Sequence, residues 1–430
     1  MWCVGVIRVD FSKHFTLVAR MSIQEAAEAV AAATEFENQP NEELSINEEY
    51  QLWRKNCRYM YEFVSETALT WPSLTIQWLP EHTIEGDAYE SSLLLGTHTS
   101  GEDTNYLKIA NTQIPVSSSG DKPMSRLKIT KKFANNHEIN RARYMPQDPN
   151  IVATINGGGE IDFYDRTDDS KAAKQHYTPH DENGYGLSWN PYLKGYLLTS
   201  SDDKSAIVSD YSKIATNEAQ VFKTTSHDDI VNDAKWHGHE AHVFGSVSDD
   251  NRFRLFDIRA SATTPVSVYH DDTAKGINTL SFSPFSHHLV ALGNANSNIG
   301  LIDTRKLSSS TKKEGLLHTM MGHSDALTSM EFSPHKDGIL ATGSQDRRLI
   351  LWDLFKIGEE QAQEDAEDGC PELFMMHAGH TGGVMDLSWC PYKDWTLGSV
   401  ADDNIVHLWQ VGSSLVNADT PEHIKPSDLE

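Results

Sequence analysis

The sequence is poor in cysteine: Cys3, Cys57, Cys370 and Cys390 are all it has in 430 residues. So few thiols exclude a disulfide framework, and no pair shows the CxxC spacing of a structural zinc site. A reducing compartment is the expectation. Long apolar runs are missing too; none approaches the roughly 18 residues that a membrane helix needs. Cations are scarce: 36 Lys and Arg stand against 62 Asp and Glu, for a formal net charge of −26. That surplus repels phosphate backbones and anionic bilayers, so neither nucleic acid nor membrane is expected as a direct ligand. A basic protein is the natural partner. Catalytic motifs are also wanting, with no GxSxG, P-loop, HExxH or strand–helix GxGxxG. The stretch "NGGGE" at Asn156–Glu160 follows one strand pattern and leads into another, which does not suit a phosphate cradle. His237, His239 and His242 in "WHGHEAH" resemble a metal motif, but repeat register puts them in the turn after a strand. No enzyme activity, cofactor or metal is therefore expected.

What the sequence does contain is a repeat. Each unit opens on His or Gly-His, runs into an apolar strand, a turn, a small-residue strand, an Asp, and a strand ending aromatic-Asp. "GHSDALTSMEFSPHKDGILATGSQDRRLILWD", Gly322 to Asp353, is the clearest copy. Others begin at His180, His227 and Gly379, with weaker copies from His137 and Lys275 and a degenerate first one around "LTIQWLP". Unit ends at Asp165, Asp210, Asp257, Asp303 and Asp353 lie 45 to 50 residues apart. That is the period of WD repeats, each a four-stranded blade. The predicted fold is all-β: a seven-bladed WD-repeat propeller over 67–412. Asp203, Asp250, Asp346 and Asp403 suit tight turns, where they join the unit-opening His and a unit-end Trp in a buried network. Most of the 20 histidines are then scaffold. A propeller must close its ring or leave an edge open to aggregation. Little strand remains after Trp409, so a short strand near Val64 to Thr70 is expected to complete the last blade.

The segments outside the repeats are read separately. Residues 1–44 form an extension expected to be disordered, with Met21 as the expected functional start. In "SINEEYQLWRKNCRYMYEFV", Ser45 and Glu48 make a capping box, which predicts a helix within 45–66. Tyr50, Trp53, Cys57, Met60, Tyr61 and Val64 fall on one helical stripe suited to docking on the propeller. Leu52, Tyr59 and Phe63 form a second stripe about 110° away, either part of a broad buried face or a patch left for a partner helix. Glu359–Glu372, "EEQAQEDAEDGCPE", carries seven carboxylates and no cation. This acidic loop, 358–372, is expected to leave the sixth unit and return to the seventh, beside the helix. An apolar helix face next to carboxylates describes a receptor for an amphipathic helix bearing Arg or Lys. The tail, 413–430, follows.

The motifs "INEEYQLW", "LTWPSLTIQWLP", "LGTHTSGE", "NRARYMPQDPNIVAT", "GYGLSWNP" and "KIGEEQAQEDAEDG" extend from about Ile46 to Trp409. In them the chain resembles the histone-binding WD-repeat family of retinoblastoma-binding chaperones and the small subunit of chromatin assembly factor. The resemblance implies a non-catalytic chaperone or scaffold subunit, first of all of a type B histone acetyltransferase, working in cytoplasm and nucleus with a catalytic partner. It implies that the first helix of histone H4, alone or as H3–H4, lies between the N-terminal helix and the acidic loop. Tyr59, Met60 and Phe63 then give the apolar contacts and Glu364, Asp365, Glu367 and Asp368 the carboxylates, with Leu415 and Val416 flanking. It implies a second peptide site on the propeller face at Glu138, Asn140, Arg141, Tyr185, Asn278 and Asp402. That site is expected to be weakened, because Asn183, Asn232, Ala326 and Thr328 replace family acids and an aromatic. Cys370-Pro371 also stands where the family has Pro-Pro. The alternatives are a subunit of another chromatin complex, an assembly factor or deacetylase, or a ubiquitin-ligase receptor. For the last, the Asp-x-Arg repeat ends Asp257/Arg259 and Asp303/Arg305 are the signal.

Overall fold

The computed structural model describes residues 45–116, 127–216, 218–260, 262, 264–307, 314–361 and 369–417. Among them are seven four-stranded sheets, every strand pairing antiparallel to its neighbours. They form blades 1 to 6 over residues 76–135, 139–177, 184–224, 231–270, 277–321 and 327–377, and blade 7 over 384–411. The innermost strands pack side by side in a closed ring, from Ile76–Glu85 in blade 1 to Val384–Trp389 in blade 7, which meets blade 1 again.

The small-residue strands explain the stacking. All six residues of Ile339–Ser344, "ILATGS", are buried, as are all six of Thr396–Ala401. A strand covered on both faces reads as a continuous apolar and small-residue run, without alternation. The next turn places Lys204, Asn251, Arg347 and Asn404 at φ between 61° and 73°. The Asp before each accepts backbone and side-chain hydrogen bonds that offset this strain. His180 Nδ1 lies 2.9 Å from Asp203 and its Nε2 2.9 Å from Thr199. His227, His323 and His380 repeat the arrangement with Asp250 and Ser246, Asp346 and Thr342, and Asp403 and Ser399. Trp352 Nε1 donates to Thr342 at 2.8 Å, so blade 6 holds the complete four-residue network. Blade 7 does not: Trp409 Nε1 finds no partner among the described residues.

The ring closes as expected, with a shift. Helix α1 (Ile46–Met60) stops at Met60, and strand β1 (Tyr61–Ala68) pairs along Ile405–Val411 as the outer strand of blade 7. The expected helix over 45–66 is therefore too long, and the expected strand at 64–70 begins three residues late. Val64 and Tyr61 belong to the strand, not to a helical stripe. The reason is tertiary: the strand partner at 405–411 satisfies the backbone of residues 61–68 and removes an exposed sheet edge. The acidic segment is also re-placed. It connects Leu349–Asp353 to Leu373–His377, two strands of the same blade 6, so it does not cross to blade 7.

Candidate functional site

Helix α1 begins with the capping box: Ser45 N donates to Glu48 Oε2 at 2.8 Å and Glu48 N to Ser45 Oγ at 3.4 Å. It lies across blades 6 and 7, with Trp53, Met60 and Tyr61 packed among Ile339, Leu351, Met375 and Trp409. Trp53 fits because residue 379 is glycine; a Cβ there would come within 2.6 Å of its ring. A buried chain of hydrogen bonds pins this face. Trp53 Nε1 donates to Tyr61 Oη (2.9 Å), Tyr61 to His377 Nδ1 (2.8 Å), and His377 Nε2 to His407 Nδ1 (3.0 Å). Burial, reinforced by His380, holds both His377 and His407 well below the usual imidazole pKa, so both are neutral. At the N-terminal end Glu49 accepts from Arg347 at 2.8 Å and Arg348 at 3.3 Å, clamping the helix to a blade 6 turn. These bonds orient α1 on the rim.

Its remaining surface is modest. Tyr59 is 36% exposed, with the Arg58 guanidinium 4.6 Å from its ring centroid. Met60 and Phe63 are 8% and 6% exposed. Phe63, on β1, packs with Ile76, Trp78 and Leu408 between blades 7 and 1, so its ring supports the wall from inside. The three do not form one outward stripe, because the helix ends between Met60 and Phe63. A short helix α2 (Ser413–Val416) adds Leu415 and Val416 to the Trp53–Met60 cluster, with Gly412 N donating to Met60 O at 2.8 Å. Of the acidic segment, Glu359 and Glu360 are exposed, whereas Glu372 is 3% exposed and accepts from His318 at 2.8 Å as an anchor. Glu364, Asp365, Glu367 and Asp368 lie outside the described residues. Phe355, 70% exposed, sits at the root of this segment. Sequence reading passed over it, since "DLFKIG" there looks like any strand end.

The propeller-face residues gather at one end of the channel, at or beside the starts of inner strands. Several are already engaged. Arg141 pairs with buried Asp233 at 2.8 Å, Asn278 donates to Leu327 O at 2.8 Å, and Asn140 bonds Asn183 and Gly184 O. Tyr185 remains 36% exposed and accepts from Asn183 at 2.7 Å. Glu138 is half-buried and Asp402 exposed, with burial and Asp403 pushing the Asp402 carboxyl up. His237 spends both ring nitrogens, on His287 O and on the backbone N–H groups of His239 and Glu240, which leaves the "WHGHEAH" turn structural. Arg259 and Arg305 fold back on Asp257 and Asp303 at 2.6 and 2.8 Å, as ordinary surface pairs.

Against this geometry the comparisons with known proteins can be set. Residues 48–116, which include most of α1, β1 and three strands of blade 1, match the family described as histone-binding protein RBBP4 and its counterpart in the CAF1 complex, an H4-binding family. Residues 218–257, 314–353 and 372–410 match the WD domain, G-beta repeat. The chain is 69% identical over 399 residues to "Histone acetyltransferase type B subunit 2" of Debaryomyces hansenii, covering 90% of this chain and 96% of that one. It is 60% identical over 384 residues to the Candida albicans protein of that name (89% and 97% covered). For the Candida glabrata protein the figures are 44% over 409 residues (92% and 94%). A WD propeller joined to an H4-binding segment is a binding subunit, not a catalytic one. The chain belongs to the histone acetyltransferase type B subunit 2 family.

Proposed function

We propose that the protein holds the first helix of histone H4, free or within H3–H4, against the outer side of α1, and presents the H4 tail to a catalytic acetyltransferase subunit. The carrying observation is the coincidence of two features on blade 6. The H4-binding match covers α1, and α1 is clamped to the blade from which the seven-carboxylate segment projects. Tyr59 and neighbouring apolar atoms supply contact area. Asp365 and Asp368, with Glu364 and Glu367, receive arginines in charge-assisted hydrogen bonds worth roughly 1.5–3 kcal/mol each when partly desolvated. Anchoring the histone fold raises the effective concentration of its lysine-bearing tail at the partner's active site. The described cysteines, Cys57, Cys370 and Cys390, are free thiols, which fits work in cytoplasm and nucleus. On the propeller face, the internal bonds of Arg141, Asn140 and Asn278 favour a weak peptide site.

Calorimetric titration with a peptide of the first H4 helix tests the groove. Asp365→Lys/Asp368→Lys should weaken binding at least about tenfold with no loss of thermal stability. Tyr59→Ala should weaken it as well. Equal affinity in both folded variants would move the histone site elsewhere.

A further inference from the structure

Blade 2 breaks the histidine pattern of its neighbours. In blades 3, 4, 6 and 7 the opening His gives Nδ1 to a turn Asp and Nε2 to a Ser or Thr hydroxyl. In blade 2 the corresponding turn is Asn156-Gly157-Gly158-Gly159-Glu160. Gly159, at φ 73°, takes the place of Lys204, so Gly158 takes that of Asp203. His137 thereby loses its carboxylate partner. Its ring lies over Gly158, where a Cβ would meet Cδ2 and Nε2 at 3.1 and 3.2 Å. From there Nε2 stands 4.0 Å from Glu160 Oε2. On the other side of the same carboxylate, His176 Nε2 stands 3.9 Å from Glu160 Oε1.

The surroundings are arranged for more than an ion pair. His176 Nδ1 lies 2.8 Å from Asp162 Oδ1, and Asp162 is held from behind by Asn135 Nδ2 at 2.9 Å. A carboxylate on Nδ1 fixes the proton there and leaves Nε2 as a lone pair facing Glu160. The Thr178 hydroxyl, 3.2 Å away, donates to that lone pair and is free to rotate off. Asn156 Nδ2 donates to Glu160 Oε2 at 3.1 Å and steadies the carboxylate. The two imidazoles are about half exposed, with side-chain values of 49% and 48%, and Glu160 is at 21%. A solvated ion therefore has access.

We infer that His137 Nε2, His176 Nε2 and the Glu160 carboxylate form a divalent-cation site of the zinc type, with Asp162 as the carboxylate behind His176. Two imidazoles and one carboxylate are a borderline N/O donor set that suits Zn²⁺ and leaves a fourth position for water. Donors at about 2.0–2.1 Å from the ion stand roughly 3.3 Å apart in tetrahedral geometry, so the 3.9 and 4.0 Å separations need only a small closure. A bound ion would tie the 156–160 turn to the outer strand Gln175–Tyr177. The buried trio His377, His380 and His407 is the contrast: His377 and His380 spend both nitrogens on protein partners and have no lone pair to give.

The test is titration of chelator-stripped full-length protein with zinc sulfate, alongside its thermal midpoint. One saturable equivalent is expected. His137→Ala, His176→Asn and Glu160→Gln should each weaken it at least about tenfold, and Asp162→Asn by about ten- to hundred-fold. Gly158→Asp should restore the scaffold bond to His137 and abolish tight zinc binding without lowering the metal-free midpoint. Anomalous scattering at the zinc edge should place the ion between the two rings. Absence of a saturable equivalent, or an undiminished one in the folded His137→Ala/His176→Asn protein, would overturn the site.

Discussion

At the scale of single residues, position in the sheet decides what a side chain is for. Phe63 and Tyr59 sit four apart in a run that looks helical, yet one is 6% and the other 36% exposed. Phe63→Ala should therefore cost about 3–5 kcal/mol of folding stability, as a large core truncation does. Tyr59→Ala should stay within about 0.5 kcal/mol of the parent and act only on binding. Urea unfolding followed by peptide titration separates the two. His377 and His407 behave differently again. Their folded pKa values lie below the ordinary 6.5 because burial disfavours the imidazolium. The unfolded chain takes up these protons first on acidification. Stability is then full above about pH 6.5 and falls below it, by up to about 1.4 kcal/mol per pH unit for each histidine. Tyr61, Trp53, Trp409, His380 and Glu66 surround the pair, so the loss should loosen α1. Denaturation midpoints at pH 7.5 and 5.5, with and without His377→Asn/His407→Asn, would show whether the slope belongs to them.

Among the elements, α1 depends on the propeller for its orientation. Glu49 bridges Arg347 and Arg348, both partly buried, across 298 and 299 positions of chain. Glu49→Ala should lower stability by about 1–2 kcal/mol, more than an exposed pair would. In a double-mutant cycle with Arg347→Ala, the coupling should exceed about 0.5 kcal/mol. The blades themselves were legible in the sequence, because a repeat states its period several times over. Asp203, Asp250, Asp346 and Asp403 each mark a turn, and each turn has its histidine. The end of the helix was not legible. Residues 61–68 carry both a helical and an alternating pattern, and the choice is made by strand 405–411, far away in the chain. The strand count called for a closing strand, but its first residue depends on where α1 stops. The capping box, a local motif, was read correctly at Ser45 and Glu48. The cluster at His137, Glu160 and His176 was invisible for the opposite reason. Its members come from a loop, a turn and a strand, and no spacing rule joins them.

For the whole molecule, the charge of −26 acts on folding and on recognition with opposite signs. Raising salt from 0.1 to 1 M shortens the screening length from about 10 to about 3 Å. Self-repulsion weakens, so the thermal midpoint should rise by a few degrees; attraction to a basic helix weakens too, so peptide affinity should fall about tenfold. A parallel salt series read by scanning calorimetry and by titration would reveal either trend alone, and a common sign would refute the electrostatic account. The ring closure has one more consequence. Tyr61 and His377, bonded through Tyr61 Oη, are 316 positions apart. On the ribosome β1 and α1 emerge first and wait, unpaired, while blades 1 to 6 are made. Only when blade 7 has left the exit tunnel do both walls of the groove exist. A nascent or truncated chain thus has no docking place to offer, and engagement of a partner there certifies that synthesis has run through the last blade.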